Sequence, residues 1–398
     1  MKLKYVFLIL SVVVIAFIFY KQYESGLVKR EYLTDIIASP DTENSEKQKI
    51  QGDIHPSEIE EPGDSQTCSG GNFGNAKTLP LKEYCVKSSF NSAYDGTDVS
   101  AETLLKRIKE GYRFIDLNVF SASGDIYVGY SPDNAPAVIS QKLLLTDALK
   151  QINEVAFSQT TVFDSSLSGV YLYPLFVHIR VYRPVNSVID VISGVEKVIN
   201  GIEGSPSPYS QKYLRNSDGA PMQINGCTNM NVLSPDNSGK MIFSMDILNI
   251  LEVYAPINYQ NATALPAETV LSIRKFVNIL TGGSTIVAFY RYTEESIVYR
   301  TNKLAIYDSA MKGSFKTNVK DMFIAFPHPD DVKSGTGIIQ PDVVKFVLDR
   351  SVQFTPVRVY LADPNLDKYI NMFDSIGTPF APMMYVYNSL NNTTDINP

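Results

Sequence analysis

From residue 79 onward, short runs rich in β-branched and aromatic residues alternate with longer stretches whose apolar side chains return every three or four positions. The first pattern predicts strands and the second amphipathic helices. Strands are predicted at 84–88, 114–119, 175–182, 240–245, 284–290, 322–326, 355–361 and 382–387. Helices are predicted at 101–110, 146–157, 188–200, 267–280, 342–349 and 365–373. Ser100 suits an N-cap and Gly111 a C-cap for the first helix, while Pro341 and Pro364 suit helix starts. Strands separated by helices pair in parallel, so the expected fold class is α/β, a (β/α)8 TIM-type barrel. An open doubly wound sheet satisfies the same strand count. The stretch 201–239 is rich in Pro, Gly, Ser and Asn and has no period. A loop of that length is usually functional or disordered.

Strand parity sorts the polar residues. Phe114, Asp116 and Asn118 fall on one face of their strand, with Ile115, Leu117 and Val119 on the other. Phe176, His178, Arg180 and Tyr182 likewise share a face. A polar inner face opposite an aliphatic outer face fits a barrel strand covered by helices. It leaves two readings of Arg180: a salt bridge with Asp116, or a solvated arginine at the barrel rim.

The N-terminus follows a different pattern. Residues 5–20 form an apolar run broken only by Ser11, with Lys2 and Lys4 before it and Lys21 after. An uncleaved single-pass anchor in the lipid bilayer is expected, because no small-x-small cleavage site ends the run. A cleaved signal peptide is the rival. Lys2 and Lys4 face Lys21, Lys29 and Arg30 across the run, so the positive-inside rule leaves orientation balanced. Between Pro40 and Gln66 acidic residues and prolines dominate, the composition of a disordered stalk. The expected division is anchor 1–22, linker 23–78, barrel 79–390 and disordered tail 391–398.

Net charge −7 excludes the basic footprint of a nucleic-acid binder. Cys68, Cys85 and Cys227 lack the paired spacing of a zinc site. In an oxidising compartment Cys68 and Cys85 could pair. Asn-x-Ser/Thr triplets begin at Asn261, Asn391 and Asn392 and matter only in a secretory lumen.

Six pieces in order, among them a helix from Leu143 to Phe157, carry a family resemblance. Lys87-Ser88-Ser89-Phe90-Asn91-Ser92-Ala93-Tyr94 is similar to the opening signature of the phosphoinositide-specific phospholipase C X-domain. The stretch from Glu110 to Asn118 resembles that domain's Gly-Cys-Arg-x-x-Glu-x-Asp element, and Ile126-Tyr127-Val128-Gly129-Tyr130 its Val-Tyr-His-Gly element. Pro174 to Arg180 resembles the strand ending in a glutamate, and Phe354 to Phe373 the last strand–helix pair. The resemblance implies a TIM barrel and a phosphodiesterase that uses two histidines and, in one branch, calcium.

The implied machinery is mostly replaced. The histidine positions hold Phe90 and Val128, neither of which can carry a proton. Among the implied metal-binding positions, Asn91 remains, Asp116 replaces a glutamate, Asn118 stands for an aspartate and Arg180 for the third acid. Calcium is therefore expected to be lost, no cofactor is expected, and Asn91, Asp116, Asn118 and Arg180 form a vestigial pocket. Arg358 is a candidate phosphate contact, with Asp246 a further pocket candidate. His328, in a Pro-flanked acidic turn past the sixth strand, is the candidate for rescued catalysis, whereas His178 reads as a core histidine and His55 as a solvated one.

The expected protein is a membrane-anchored, catalytically inactive phospholipase C-like barrel with a binding or structural role. It would take a phosphate-bearing or polar ligand in its mouth. The alternative is an active phosphoric diester hydrolase of phosphoinositide-type lipids with relocated acid–base residues. Divergent barrels of this kind resemble those of large DNA viruses, for which a virion or host membrane would be the setting.

Overall fold

The computed structural model describes residues 79–130, 138–163, 167, 169–181, 188–202, 205–206, 211–235, 238–246, 272–282, 296–300, 322–326, 342, 344, 347 and 352–386. All lie in the compact unit Gly63–Pro398. The expected anchor at 5–20, the linker, the tail, His55 and His328 fall outside the described residues. Among the described residues, no helix is long and apolar enough to cross a membrane.

The chain opens with β1 (Tyr84–Val86) and β2 (Ser88–Ser89), then α1 (Ala101–Lys109). The Ser100 hydroxyl caps α1 by accepting from the Thr103 amide, and Gly111 follows at φ +87°, a left-handed turn that a side chain would strain. Next come β3 (Phe114–Ala122), β4 (Asp125–Tyr130), β5 (Val138–Leu144), α2 (Leu145–Ala156), β6 (Leu175–Val181) and α3 (Val188–Asn200). The remainder comprises β7 (Met241–Asp246), β8 (Ile279–Gly282), β9 (Ser296–Arg300), β10 (Phe323–Phe326), α4 (Pro364–Ile376) and β11 (Phe380–Pro382). Asp363 caps α4 and Pro364 occupies its first turn, where a missing N–H costs nothing.

Strands β2, β3, β6, β7, β8, β9 and β10 pair in parallel, each with the next. Parallel bridges then tie Ile324 to Phe354, Phe354 back to Val86, and Val357 to Ser89. Both ends of the sheet thus meet on the segment around Phe354, the closure that a barrel requires. Strands β4 and β5 hang antiparallel from the far half of β3. Mixed α/β architecture with a parallel sheet is what the strand–helix alternation predicts.

Two apolar cores follow from the pleat. Ile115, Leu117, Val119, Val177, Ile179, Phe243 and Met245 face outward into one cluster with Leu104, Ile108, Leu149, Ile152, Val195 and Phe373. Their neighbours Phe114, Phe176, Ile242, Ile279, Ile324 and Phe354 form a second cluster inside the ring of strands. Each such side chain contributes about 1.5–3 kcal/mol when fully buried. The inner cluster is an aromatic plug: Phe114 and Phe354 ring centroids lie 4.9 Å apart, and those of Phe176 and Phe354 5.0 Å apart.

Several expectations are corrected. Of the helix expected at 267–280, residues 267–271 lie outside the described residues and 272–274 are helical, but Ile279 and Leu280 belong instead to β8, paired with Ser244 and Met245. Where a last strand was expected at 382–387, β11 ends at Pro382, running antiparallel to β1, and residues 383–386 are helical. The strand expected at 284–290 lies outside the described residues, and β9 further on pairs in parallel with β8. The stretch 201–239 is not featureless: Leu214, Ile224, Met230 and Leu233 join the inner cluster. Buried Asn278 holds it there, its amide donating to the carbonyls of Leu214 and Met222 at 2.8 Å each. Cys85 is a free, buried thiol, so no Cys68–Cys85 bridge forms; the disulfide-bonded cysteine is Cys227.

Candidate functional site

Polar residues sit one layer above the aromatic plug, toward the C-terminal ends of the parallel strands, where active sites of barrel enzymes form. Asp116 follows Phe114 by two on β3, and His178 and Arg180 follow Phe176 on β6. Register places Asp116 beside His178 and Asn118 beside Arg180. The pleat therefore converts the spacing of two into a stack of layers.

Past β2 the chain turns sharply. The Phe90 amide donates to the Val357 carbonyl at 2.9 Å, and the Tyr94 amide to the Asn91 carbonyl at 2.8 Å. Asn91 occupies a left-handed conformation with φ +45°, uncommon for a side-chain-bearing residue. Its surroundings hold it there. The Asn91 amide donates to Asp116 Oδ2 at 2.8 Å, and the Asp116 amide donates to Ser92 Oγ at 2.9 Å. Ser89 and Ser92 hydroxyls share a hydrogen bond at 2.6 Å.

Arg180 crosses this turn. Its Nε donates to Asp116 Oδ1 at 2.6 Å, its Nη2 to Asp116 Oδ2 at 2.6 Å and also to Asn91 Oδ1 at 2.8 Å. Asn91 Oδ1 accepts a second bond from Asn118 Nδ2 at 2.7 Å. The Asp116–Arg180 pair foreseen from strand parity is thus present, as a buried two-pronged ion pair. Asn118 Oδ1 is buried with no partner among the described residues.

Phe90 lies against both arginines of the site. Its ring centroid is 4.5 Å from the guanidinium carbon of Arg180 and 5.9 Å from that of Arg358. Both guanidiniums are buried. Buried cations over an aromatic face gain more than exposed ones, on the order of 2 kcal/mol. Among the described residues, Asp116 is the carboxylate of this cluster, which also holds two positive charges.

The structure brings Phe90, Asn91, Asp116, Asn118, Arg180 and Arg358 together. Val128 belongs elsewhere: it lies on β4 opposite Val119 and packs in the outer core. Asp246 pairs in register with Arg180 through the backbone. His178 sits beneath the ion pair, its Nδ1 2.9 Å from Ser244 Oγ and its ring stacked on Phe114 at 5.2 Å, as befits a core histidine.

Three tyrosines escaped the sequence reading. Tyr94 and Tyr130 stack at 3.7 Å, and Tyr360 meets Tyr94 edge-on at 4.9 Å. The Tyr360 hydroxyl hydrogen-bonds Asn91 and Tyr130, and burial pushes its pKa well above the usual tyrosine range. Tyr360 stands two residues after Arg358 within the strand expected at 355–361, so parity would have put both on one face; the structure corrects that strand to an isolated bridge at Val357 followed by a turn. Among the described residues, no three His, Cys, Asp or Glu side chains converge as a metal site would need.

No family model and no curated protein matches the chain. Among solved structures, it is similar to PLC21 of L. pealei, at 13% identity and a TM-score of 0.53, over 79% of this chain and 38% of that one. It is also similar to PLC21 of S. officinalis, at 12% identity and a TM-score of 0.49, over 79% and 37% of the respective chains. A third similarity is to a calcium-dependent phosphoinositol-specific phospholipase C from Pseudomonas sp., at 8% identity and a TM-score of 0.39, over 77% and 96%. The chain spans less than two fifths of the length of either PLC21. At such identity the likeness to L. pealei PLC21 shows the fold alone, and that fold is phospholipase C-like.

Proposed function

We propose that this phospholipase C-like fold is a (β/α)8 barrel, tethered to a membrane through residues 5–20, that binds a phosphate-bearing or polar ligand without cleaving it. The observation that carries the reading is the two-pronged grip of Arg180 on Asp116. By the resemblance, these residues occupy positions that surround calcium in the phospholipase family. Ca²⁺ takes 6–8 oxygen ligands, commonly carboxylates. Here both oxygens of Asp116 are engaged by a guanidinium, and Arg358 adds a second positive charge nearby. A guanidinium keeps its charge at any physiological pH. These residues do not fit a calcium ion, and no catalytic step is routed through one.

Proton transfer is missing as well. Phe90 stands at the turn where the family resemblance implies a histidine, and Val128 is packed in aliphatic surroundings. General acid–base catalysis contributes about 10²–10⁴-fold, so a site lacking both groups retains little turnover. What the cluster offers instead is a positive, amide-rich floor. Arg358 is the proposed phosphate contact, and the proposed setting is a single-pass membrane protein, with a virion or host membrane supported only by analogy.

The full chain incubated with phosphatidylinositol vesicles, with and without calcium, tests both halves. Expected are no inositol phosphate release in either condition and calcium-independent binding that weakens in Arg358→Ala. Turnover abolished by His328→Ala would establish the alternative, an active phosphodiesterase with relocated acid–base residues.

A further inference from the structure

Phe157, at the end of α2, is a meeting point for cations. The Lys212 ammonium lies 5.5 Å from its ring centroid, and the Arg113 guanidinium carbon 5.9 Å from it. Lys212 and Lys240 are half-buried, and Arg113 is fully buried. Burial and the nearby Lys240 charge hold the Lys212 ammonium below the usual lysine range. Among the described residues, neither lysine forms an ion pair. Arg113 donates from Nη2 to the Ala156 and Val170 carbonyls, but its Nε and Nη1 are buried without a partner. Like charges gathered this way repel, and partly buried charges are screened less by salt than exposed ones. An anion seated beside them relieves that repulsion.

The backbone fixes the two lysines in place. The Met241 amide donates to the Lys212 carbonyl at 2.7 Å, which lays Lys212 alongside the start of β7, where Lys240 precedes Met241. Gly239 brings the chain against the aromatic ring: a Cβ there would lie 2.8 Å from Phe157 Cδ1, too near for any side chain. Lys212 Nζ donates to Ser238 Oγ at 3.0 Å, and Lys240 Nζ to the Gln211 carbonyl at 3.1 Å. Each ammonium uses one N–H group in these contacts and has others to offer. Ser238 Oγ, accepting from Lys212, keeps its own hydrogen to donate.

We propose that Lys212, Lys240 and the Ser238 hydroxyl bind a phosphate group, with buried Arg113 adding to the positive field around it. Ammonium groups bind phosphate as point charges, and a hydroxyl donor beside them supplies direction. The site lies at the N-terminal end of β7, whereas Arg180 is level with Asp246 at the other end of that strand. It is therefore separate from the cluster around Asp116 and does not rest on the function proposed there. A soluble phosphoester and a lipid headgroup present the same chemistry to it.

The test treats the full chain with a limiting amount of acetic anhydride and reads the labelling of each lysine by peptide mass spectrometry. Inorganic phosphate is expected to slow labelling of Lys212 and Lys240 severalfold relative to chloride at the same ionic strength. Exposed Lys106 and Lys275 should label equally in both. In Lys240→Gln, the phosphate concentration that half-protects Lys212 should rise about tenfold, the loss of one charge-assisted contact, and Lys240→Arg should recover most of it. Arg358→Ala should leave the pattern unchanged, so a failure at the Asp116 cluster and a failure here are read separately. Phosphatidylcholine vesicles carrying phosphatidic acid form the second arm. Protection by these vesicles as well as by inorganic phosphate extends the site to a lipid headgroup, and protection by inorganic phosphate alone assigns it to a soluble phosphoester. Equal labelling in phosphate and chloride, protection shared by every exposed lysine, or unchanged half-protection in Lys240→Gln each overturns the proposal.

Discussion

Phe90 rests its ring 4.5 Å from the guanidinium carbon of Arg180, the same guanidinium that holds both oxygens of Asp116. A residue unable to move a proton thus supports the cation that occupies the implied metal position.

Restoring one histidine should therefore restore nothing. Phe90→His, and Phe90→His combined with Val128→His, are expected to show no calcium-dependent release of inositol phosphate, because the Asp116–Arg180 pair remains. Calcium-dependent turnover in the double variant would show that the ion pair yields to metal.

The pair should reveal itself in stability. Arg180→Ala leaves a buried carboxylate without its cation, a change that typically costs about 3–5 kcal/mol. Arg180→Lys should recover little, since an ammonium cannot reproduce the two-pronged geometry. Replacing both partners, as Arg180→Met with Asp116→Leu, should cost less than Arg180→Ala. Urea denaturation of the four proteins decides the order.

Alkaline pH should destabilise the fold. Burial raises the hydroxyl pKa of Tyr84, Tyr112, Tyr213, Tyr360 and Tyr369. Each contributes stability that is complete below the unfolded value of about 10 and is lost as pH rises toward the folded one. Arg113 works the other way. Its fully buried guanidinium, pushed down to about 9 by desolvation, binds its proton more weakly in the fold than in the unfolded chain. That contribution rises with pH above about 9. Cys85 and Tyr94 are raised like these tyrosines, and Lys87 and Lys212 are lowered like Arg113, so seven groups oppose three. The melting temperature is expected to fall above about pH 10, with the absorbance of the five named tyrosinates appearing only as the protein unfolds. Early, complete tyrosine titration in the folded protein would contradict the burial.

Disulfide-bonded Cys227 sits in a turn whose Gly226 and Thr228 carbonyls accept from the Lys82 and Leu81 amides, both at 2.9 Å, so opening its bond should loosen the lead-in to the first strand. Cys227→Ser is expected to lower stability by about 2–4 kcal/mol, the usual range for losing a native bridge. Cys85→Ala, which only creates a small void, should leave the reductant sensitivity of the melting temperature unchanged.

Much of this was written in residue order. Regular alternation made β3 and β6 visible, and the same alternation brought Asp116 and Arg180 to one face. Capping made the ends of α1 and α4 readable at Ser100, Gly111 and Pro364. Ile279 and Leu280 misled because a short apolar run suits a buried strand and a helix equally well. The segment from Tyr213 to Leu233 hid its role because its apolar residues follow no period and are fixed by a distant side chain, Asn278. Tyr360 and Ser92 were invisible for a related reason: both sit on turns, where no periodicity says which way a side chain points.

The aromatic plug of Phe114, Phe176 and Phe354 has a consequence for any guest. In the proposed barrel, a lower end packed with rings 4.9–5.0 Å apart would leave a ligand one way in and out, past the polar layer. Selectivity would then come from that layer, and enlarging the space would mean dismantling packing that holds the strands together.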